Sequence, residues 1–183
     1  PKHVQRFFDE AKLLSMVSNP GLIKIYDFDR TPEGQVYIVM ELLEGETLWS
    51  RFEKREQSDA NAGLPPLEVA RVVRQVASAL AAVHQRGIIH RDLKPENIFV
   101  VKDSEAAAGE RAKILDFGIA KVITDYSGPG AEEFKTNTGL VLGTATYMPP
   151  EQILGEELTP WTDIYAIGVT LFELVTGHLP FEG

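Results

Sequence analysis

A short stretch of mixed charge between two apolar segments is the first candidate for chemistry. Residues 88–100, IIHRDLKPENIFV, begin with two isoleucines and end in an Ile-Phe-Val run that is typical of a strand. A core segment cannot bury that many charged groups unpaired, and a solvated turn does not need apolar anchors at both ends. We therefore expect a rigidly held loop whose polar side chains converge on a highly charged ligand.

A second acidic position follows downstream. In KILDFGIAK, Asp116 ends an apolar run and precedes a Phe-Gly pair. The side-chain oxygens of Asn97 and Asp116, on separate loops, are suited to holding a hard cation such as Mg²⁺. Asp92 is then left to accept a proton or to orient a hydroxyl, and Lys94 to neutralise phosphate oxygens. A base, a cation and metal ligands are the groups that phosphoryl transfer requires.

Composition narrows the class of protein. The chain has 183 residues, of which 44% are hydrophobic and 25% charged, as in an ordinary soluble globular protein. Its net charge of -9 argues against general binding to nucleic acid or anionic lipid, although a local basic site for phosphate remains possible. The absence of cysteine excludes disulfides and fits a cytoplasmic setting. The longest apolar stretch, 164–175, is too short to span a bilayer, so we expect no membrane contact from this segment; a longer parent could be anchored elsewhere.

Hydrophobic periodicity predicts the elements that position these residues. We expect helices at about 3–18, through 69–83 to near Gly87, and at 162–176, the last almost wholly apolar with Thr162 as its N-cap. The Thr- and Gly-rich residues 124–146 form a long loop, and loops of that length are usually functional. The predicted strands are 22–28, 35–42, 97–101 and 112–117, and the other loops are 54–66 and 102–111.

Three motifs resemble those of a known family. HRDLKPEN at 90–97, DFG at 116–118 and GTATYMPPE at 143–151 resemble the catalytic loop, the metal-binding loop and the end of the activation segment of protein kinases. Their order and spacing also agree with that family, and DLKPEN resembles its serine/threonine branch. The resemblance is to bacterial, eukaryotic-like kinases, and it runs from the helix that carries an ion-pair glutamate (helix C) to the buried central helix (helix F).

The resemblance implies an α+β, protein-kinase-like bilobal fold that is incomplete in this chain. Residues 1–40 would be the remainder of the small N-lobe, 41–47 the hinge and 48–183 part of the helical C-lobe. The activation segment would be 116–151. The family's glycine-rich loop and ATP-anchoring lysine have no counterpart among these residues. We therefore expect the 183 residues alone to have little or no kinase activity.

The same resemblance implies roles for the catalytic residues. Asp92 would be the catalytic base and Lys94 would lie on the transferring phosphate. Asn97 and Asp116 would bind Mg²⁺. Thr144 would close on the base and the lysine and shape the acceptor site.

It also implies an ATP site. Glu10 matches the helix glutamate that pairs with the ATP-binding lysine. Met40 would be the gatekeeper, the backbones of Glu41 and Leu43 would contact adenine, and Phe99 would form part of the floor under the base. The cofactors are then ATP and Mg²⁺.

Regulation and the partner follow from the resemblance as well. Thr136 and Thr138 resemble paired autophosphorylation sites, Arg91 is placed to pair with such a phosphate, and kinase domains would self-associate for that reaction. His90 is expected to be structural, in a stacked spine with Leu14, Ile25 and Phe117 that is anchored on Asp163. The partner would be a protein with a Ser/Thr acceptor, and no nucleic acid.

Two alternatives to a protein kinase remain open. One is a pseudokinase or scaffold module that keeps the fold without phosphoryl transfer, although the retained Asp92, Asn97 and Asp116 argue against it. The other is a small-molecule phosphotransferase, which shares the base and the metal ligands. The long threonine-rich loop ending in GTATYMPPE favours a peptide acceptor over a small alcohol.

Overall fold

The computed structural model describes residues 2–58, 63–106, 108–117 and 145–181, without the side chains of residues 2–7 and 10. Three of the expected functional residues, Thr136, Thr138 and Thr144, lie outside the described residues. Glu10 lies in a described helix, but its side chain is outside the description.

The chain alternates helices with short strands, as expected for an α+β protein. The helices are α1 (Lys2–Ser15), α2 (Leu48–Ser58), α3 (Pro66–His84), α4 (Pro150–Leu154) and α5 (Pro160–Thr176). The strands are β1 (Ile25–Arg30), β2 (Val36–Met40), β3 (Gly45–Thr47), β4 (Ile98–Lys102) and β5 (Glu110–Ile114), and a 3₁₀ turn, Pro95–Asn97, precedes β4.

The strands form two antiparallel sheets. Strands β1 and β2 make a hairpin, and β3, β4 and β5 make a three-stranded sheet in that order. Strand β3 approaches β4 so closely that a Cβ atom on Gly45 would lie 2.0 Å from the carbonyl oxygen of Val100. Only glycine permits this contact, which holds the segment after β2 against the sheet that leads to the polar loop.

Helix α3 is the element on which the polar loop is built. Its buried face consists of residues spaced by three and four positions, as expected for an amphipathic helix. This face packs against β5 and α5, in a core that also contains the buried residues of β4. Leu93, inside the polar loop, is buried in that core, so the loop is anchored at its middle as well as at its ends. The buried residues of α3 are Val69, Val72, Val76, Ala79, Leu80 and Val83.

Helix α2 was not expected from the sequence. Residues 54–58, expected as part of a loop, are helical. Leu48 and Phe52, one helical turn apart, are buried in the core, and this burial stabilises a helix with an otherwise polar surface. Arg51 adds ion pairs to β3, α3 and β5 through Glu46, Glu68 and Glu110.

The start of α5 also differs from the prediction. Its N-cap is Thr159, not Thr162. Thr162 is at the third helical position, where its hydroxyl accepts a hydrogen bond from the Thr159 N–H (3.3 Å) and completes a capping box. The same hydroxyl donates to Glu151 at 3.2 Å and so ties α4 to α5. The error arose because either threonine fits the preference for a cap.

Strand ends shifted by a few residues. Strand β5 begins at Glu110 and ends at Ile114, so the loop that holds Asp116 begins earlier than expected. Within the described part of the chain, no helix combines the length and apolarity that a bilayer span requires.

Candidate active site

The polar loop begins at a buried carboxylate on α5. Asp163 is 1% exposed and accepts hydrogen bonds from the backbone N–H groups of His90 (2.9 Å) and Arg91 (3.0 Å). It also contacts Nε2 of His84, at the end of α3, at 2.7 Å. Of the expected spine on Asp163, the bond of His90 to this carboxylate is observed. Because this carboxylate is held by three groups, helix α5 fixes the loop as one rigid unit.

His90 joins the two loops that carry the expected catalytic residues. Its Nε2 lies 2.8 Å from the carbonyl oxygen of Leu115, and its Nδ1 accepts from the Asp92 N–H at 3.3 Å. A carbonyl oxygen only accepts, so Nε2 carries the proton and the ring is neutral. Complete burial lowers the pKa of His90, which agrees with this assignment. The ring centre lies 4.7 Å from that of Phe117, as expected for a structural histidine in a stacked spine.

Asn97 has a side chain with a fixed orientation. Its Nδ2 donates to the backbone oxygen of Asp92 at 2.8 Å and to the Asp92 carboxylate at 3.3 Å. Because the amide nitrogen is committed in this way, Oδ1 points elsewhere, and no described residue donates to it. Its backbone oxygen accepts from the Leu115 N–H at 2.8 Å. Leu115, the residue before Asp116, is therefore hydrogen-bonded to both Asn97 and His90.

Backbone strain coincides with the site. Arg91 (φ 67°) and Asp116 (φ 47°) are the non-glycine residues with positive φ in the described part of the chain. Such conformations cost free energy and persist where the surroundings enforce them, often in functional sites. The carboxylate of Asp116 is exposed beside the buried Phe117. The strained turn thus presents the acid outward while the aromatic ring packs inward.

Asp92 and Lys94 share a small cavity. It has a volume of about 10 Å³, room for about one water molecule, and Tyr147 and Gln152 also line it. Gln152 Nε2 donates to the backbone oxygen of Arg91 at 2.8 Å. The residue that follows the expected activation segment is therefore attached to the loop that carries Asp92.

Three of the expected ATP-contacting residues, Met40, Glu41 and Leu43, lie at the end of β2 and directly after it. Met40 ends this strand and is 41% exposed. The Glu41 carboxylate accepts from the Lys24 N–H (2.8 Å) and from Lys113 Nζ (2.6 Å), which fixes the chain as it leaves the hairpin. Leu43 lies two positions after Glu41, and its amide donates to no described residue. This segment therefore carries a backbone hydrogen-bonding group available to a ligand.

Phe99 lies on the neighbouring strand β4. It is half-buried and pairs with Thr47 of β3 and Lys113 of β5. Its ring reaches the edge of Gly45, 3.1 Å from the position that a Cβ atom there would occupy. The ring therefore lies beside the segment that follows Met40.

Sequence reasoning missed a buried pair. The Tyr147 hydroxyl donates to the Glu173 carboxylate at 2.6 Å, and both residues are buried. Burial raises the pKa of Glu173, and burial together with this contact raises the pKa of Tyr147. The only signal in the sequence was that Glu173 interrupts an apolar helix. The pair ties the end of the expected activation segment to α5.

The candidate metal ligands are oxygen atoms. No group of three or more His, Cys, Asp or Glu suited to a metal ion occurs among the described residues. Mg²⁺ does not require such a cage, because it is commonly held by one or two carboxylates together with substrate phosphates and water. The exposed Asp116 carboxylate and the available Oδ1 of Asn97 therefore fit a magnesium site of this kind.

Comparison with known proteins identifies the family. The family described as "Protein kinase domain" matches residues 1–183. The chain belongs to the protein kinase family. Curated relatives include the serine/threonine-protein kinase pkn2 of Myxococcus xanthus, 40% identical over 179 residues, which are 98% of this chain and 20% of the relative. Another is PknL of Mycobacterium tuberculosis, 38% identical over 97% of this chain and 40% of its own length.

Solved kinase domains share the fold. The kinase domain of Mycobacterium tuberculosis PknI superimposes with a TM-score of 0.71 at 26% identity, covering 99% of this chain and 60% of that domain. The kinase fold, incomplete in this chain, and the resemblance to bacterial serine/threonine kinases are thus confirmed. The chain spans between 20% and 40% of the length of pkn2 and PknL. The roles of single residues and the division at 1–40, 41–47 and 48–183 stay predictions.

Proposed function

We propose that the protein containing this kinase segment transfers the γ-phosphoryl group of ATP to a Ser or Thr hydroxyl of a protein. The observation that carries the proposal is the joining of the catalytic and metal-binding loops through His90, Asn97 and Leu115. Serine/threonine kinase is also the printed name of the curated relatives. The protein acceptor and a cytoplasmic location are parts of this proposal.

Asp92 is the proposed catalytic base. The Asn97 amide donates to its carboxylate at 3.3 Å and orients it. The substrate hydroxyl gives its proton to this carboxylate as the oxygen attacks phosphorus. Lys94, which lines the same cavity, would stabilise negative charge on the transferring phosphate.

Asn97 and Asp116 are the proposed Mg²⁺ ligands. The fixed Asn97 amide and the strained Asp116 turn support this assignment, because both leave an oxygen atom available at the junction of the two loops. Bound there, Mg²⁺ would neutralise phosphate charge. The protein's contribution is to hold the two oxygens in place before the ligand arrives.

ATP itself would lie along the segment that follows β2. In this proposal Met40 is the gatekeeper, the backbones of Glu41 and Leu43 contact adenine, and Phe99 contributes to the floor. The available Leu43 amide and the fixed Glu41 side chain support it. Glu10 remains the proposed partner of the ATP-binding lysine.

Activation-loop phosphorylation is the proposed regulation. Arg91 Nε is buried without a hydrogen-bond partner among the described residues, and a guanidinium with an unsatisfied N–H group favours an anion. A phosphate on Thr136 or Thr138 would supply that anion. Association of two kinase domains would allow the reaction to occur between copies.

The test is phosphoryl transfer by the protein that contains this segment. The assay follows labelled γ-phosphate from ATP into a Ser/Thr protein acceptor and, separately, into a small alcohol. We expect transfer to the protein, and loss of about 10²–10⁴-fold in rate with Asp92→Asn. Asp29→Asn, on the exposed hairpin, is the matched control and should retain activity.

Three results would contradict the proposal. Full activity of Asp92→Asn would show that Asp92 is not the catalytic base. Transfer to the small alcohol alone would make the protein a small-molecule phosphotransferase. ATP binding without any transfer by the whole protein would favour a scaffold function.

A further inference from the structure

A basic groove lies outside the candidate active site. Its main part is a cavity of about 370 Å³ between α3 and the β4–β5 turn, lined by Arg71, Arg74, Gln75 and Arg111. A second cavity of about 180 Å³ shares Arg74, Gln75 and Arg111 and continues to residues 19–21. We call the two cavities together the arginine groove. It shares no lining residue with the cavity of the candidate catalytic residues.

The arginine groove carries unneutralised positive charge. Arg71 and Arg74 are exposed, and neither forms an ion pair with a described residue. Arg111 donates from Nε to Asp103, and its other N–H groups have no acceptor among the described residues. Glu105 lines one end and would repel an anion there. The positive charge is therefore concentrated around Arg71 and Arg74, on a chain whose net charge is -9.

The floor of the groove is held in place by hydrogen bonds. Gln75 donates from Nε2 to the Glu110 oxygen (3.4 Å) and accepts at Oε1 from the Ala112 N–H (3.1 Å), so α3 and β5 are joined across it. The Ile114 N–H donates to the Gly21 oxygen at 2.8 Å, which joins the far end to β5. The groove is thus formed before any ligand binds, which lowers the entropic cost of binding.

The arginine spacing fits an extended peptide. Arg71 and Arg74 lie three positions apart on one helix face, where Cβ atoms are about 5–6 Å apart. In an extended chain, side chains two positions apart point the same way and are separated by about 6.6 Å. An acid-x-acid pattern would therefore place one carboxylate opposite each arginine. The two cavities adjoin at Arg74, Gln75 and Arg111, so a peptide bound at Arg71 and Arg74 has room to continue toward residues 19–21.

We propose that the arginine groove binds an extended, carboxylate-rich segment of a partner protein, with alternate acidic side chains facing Arg71 and Arg74. A short acidic segment is attracted by the nearby arginines and is little repelled by the negative charge on the rest of the chain. The reason is that charges are screened beyond about 8 Å at physiological ionic strength. A long nucleic acid would also meet the negative charge of the rest of the chain. The proposal concerns binding alone and does not depend on phosphoryl transfer.

The experiment measures binding of a labelled peptide by fluorescence anisotropy. The probe is a ten-residue peptide with glutamate at alternate positions, added to the protein that contains this segment. We expect saturable binding that weakens as salt rises from about 50 to 200 mM. The double variant Arg71→Glu/Arg74→Glu should weaken binding by at least about tenfold, because each attractive pair becomes a repulsive one.

The matched control carries the same change in charge elsewhere. Arg55 and Arg86 are exposed and do not line the groove, so Arg55→Glu/Arg86→Glu should bind the peptide as the unaltered protein does. If the reversed charges disturb α3, the double variant Arg71→Ala/Arg74→Ala replaces it in the test, with a smaller expected loss of peptide affinity. Equal losses in the groove variant and the control would overturn the proposal. The proposal would also be overturned if a single-stranded DNA of the same charge bound more tightly than the glutamate peptide and lost that binding when Arg71 was replaced. Binding of a lysine peptide equal to that of the glutamate peptide would overturn it as well.

Discussion

At the scale of single residues, the site depends on side chains that use their hydrogen-bonding atoms in one definite way. His90 donates from Nε2 to one loop and accepts at Nδ1 from the other. Asn97 commits its amide nitrogen to Asp92 and leaves its oxygen available. These assignments follow from which partner is able only to donate or only to accept. The chemistry proposed for Asp92 and Asp116 depends on this prior ordering.

The burial of His90 predicts a pH dependence of stability. Burial lowers the pKa of His90 in the folded protein below the value of about 6.5 in an unfolded chain. Below that pH the unfolded chain takes up a proton that the folded protein does not bind. The free energy of unfolding should therefore fall from pH 7 to pH 5, by at most about 1.4 kcal/mol per pH unit from this residue.

Denaturant unfolding of His90→Gln across this range measures the effect. In the variant, the free energy of unfolding should depend less steeply on pH. In His178→Gln, at an exposed position, this pH dependence should be unchanged. Glu173 contributes with the opposite sign, because its raised pKa stabilises the fold at low pH and this stability is lost as pH rises. The comparison of variants cancels that contribution. An unchanged slope in His90→Gln would show that its imidazole is not held neutral by the fold.

At the scale of elements, close approach of backbones positions the segment between the hairpin and the three-stranded sheet. A Cβ atom at Gly45 would lie 2.0 Å from the Val100 oxygen, so Gly45→Ala must push β3 away from β4. We expect a loss of stability of about 1–3 kcal/mol, typical of overpacking. Gly168→Ala is the matched control, because the added Cβ meets no described atom within 4 Å beyond its chain neighbours and the adjacent backbone of its own helix. Thermal unfolding of both variants measures the difference. Equal stability of Gly45→Ala and Gly168→Ala would contradict the observed β3–β4 contact.

The elements also show what the sequence was able to predict. The periodicity of α3 and the apolar runs of β4 and β5 were strong enough to place the loops of Asp92 and Asp116. Helix α2 was missed because its helical signal rests on Leu48 and Phe52 within a polar stretch. The Tyr147–Glu173 pair was missed because it joins residues 26 positions apart, a contact that local patterns do not reveal.

At the scale of the whole molecule, helices α5 and α3 position the candidate active site. Asp163 of α5 holds the loop that carries Asp92, and Glu173 of the same helix holds Tyr147. The buried face of α3 belongs to the same core as β4 and β5, the strands next to the two loops. Two loops distant in sequence therefore meet at one place. Family membership follows from the match to the protein kinase domain over residues 1–183. The shared cation site at this meeting point is the central claim.

The most direct test is a crystal structure of the protein containing this segment with Mn²⁺ and a non-hydrolysable ATP analogue. Mn²⁺ substitutes for Mg²⁺ at oxygen sites and is located by its anomalous scattering. We predict a metal peak within about 2.3 Å of Asn97 Oδ1 and of an Asp116 carboxylate oxygen, close to octahedral metal–oxygen distances. The Asp92 carboxylate should face the same cleft without binding the metal. A metal–nucleotide complex bound without Asp116, or with Asp116 turned away from Asn97, would contradict the account.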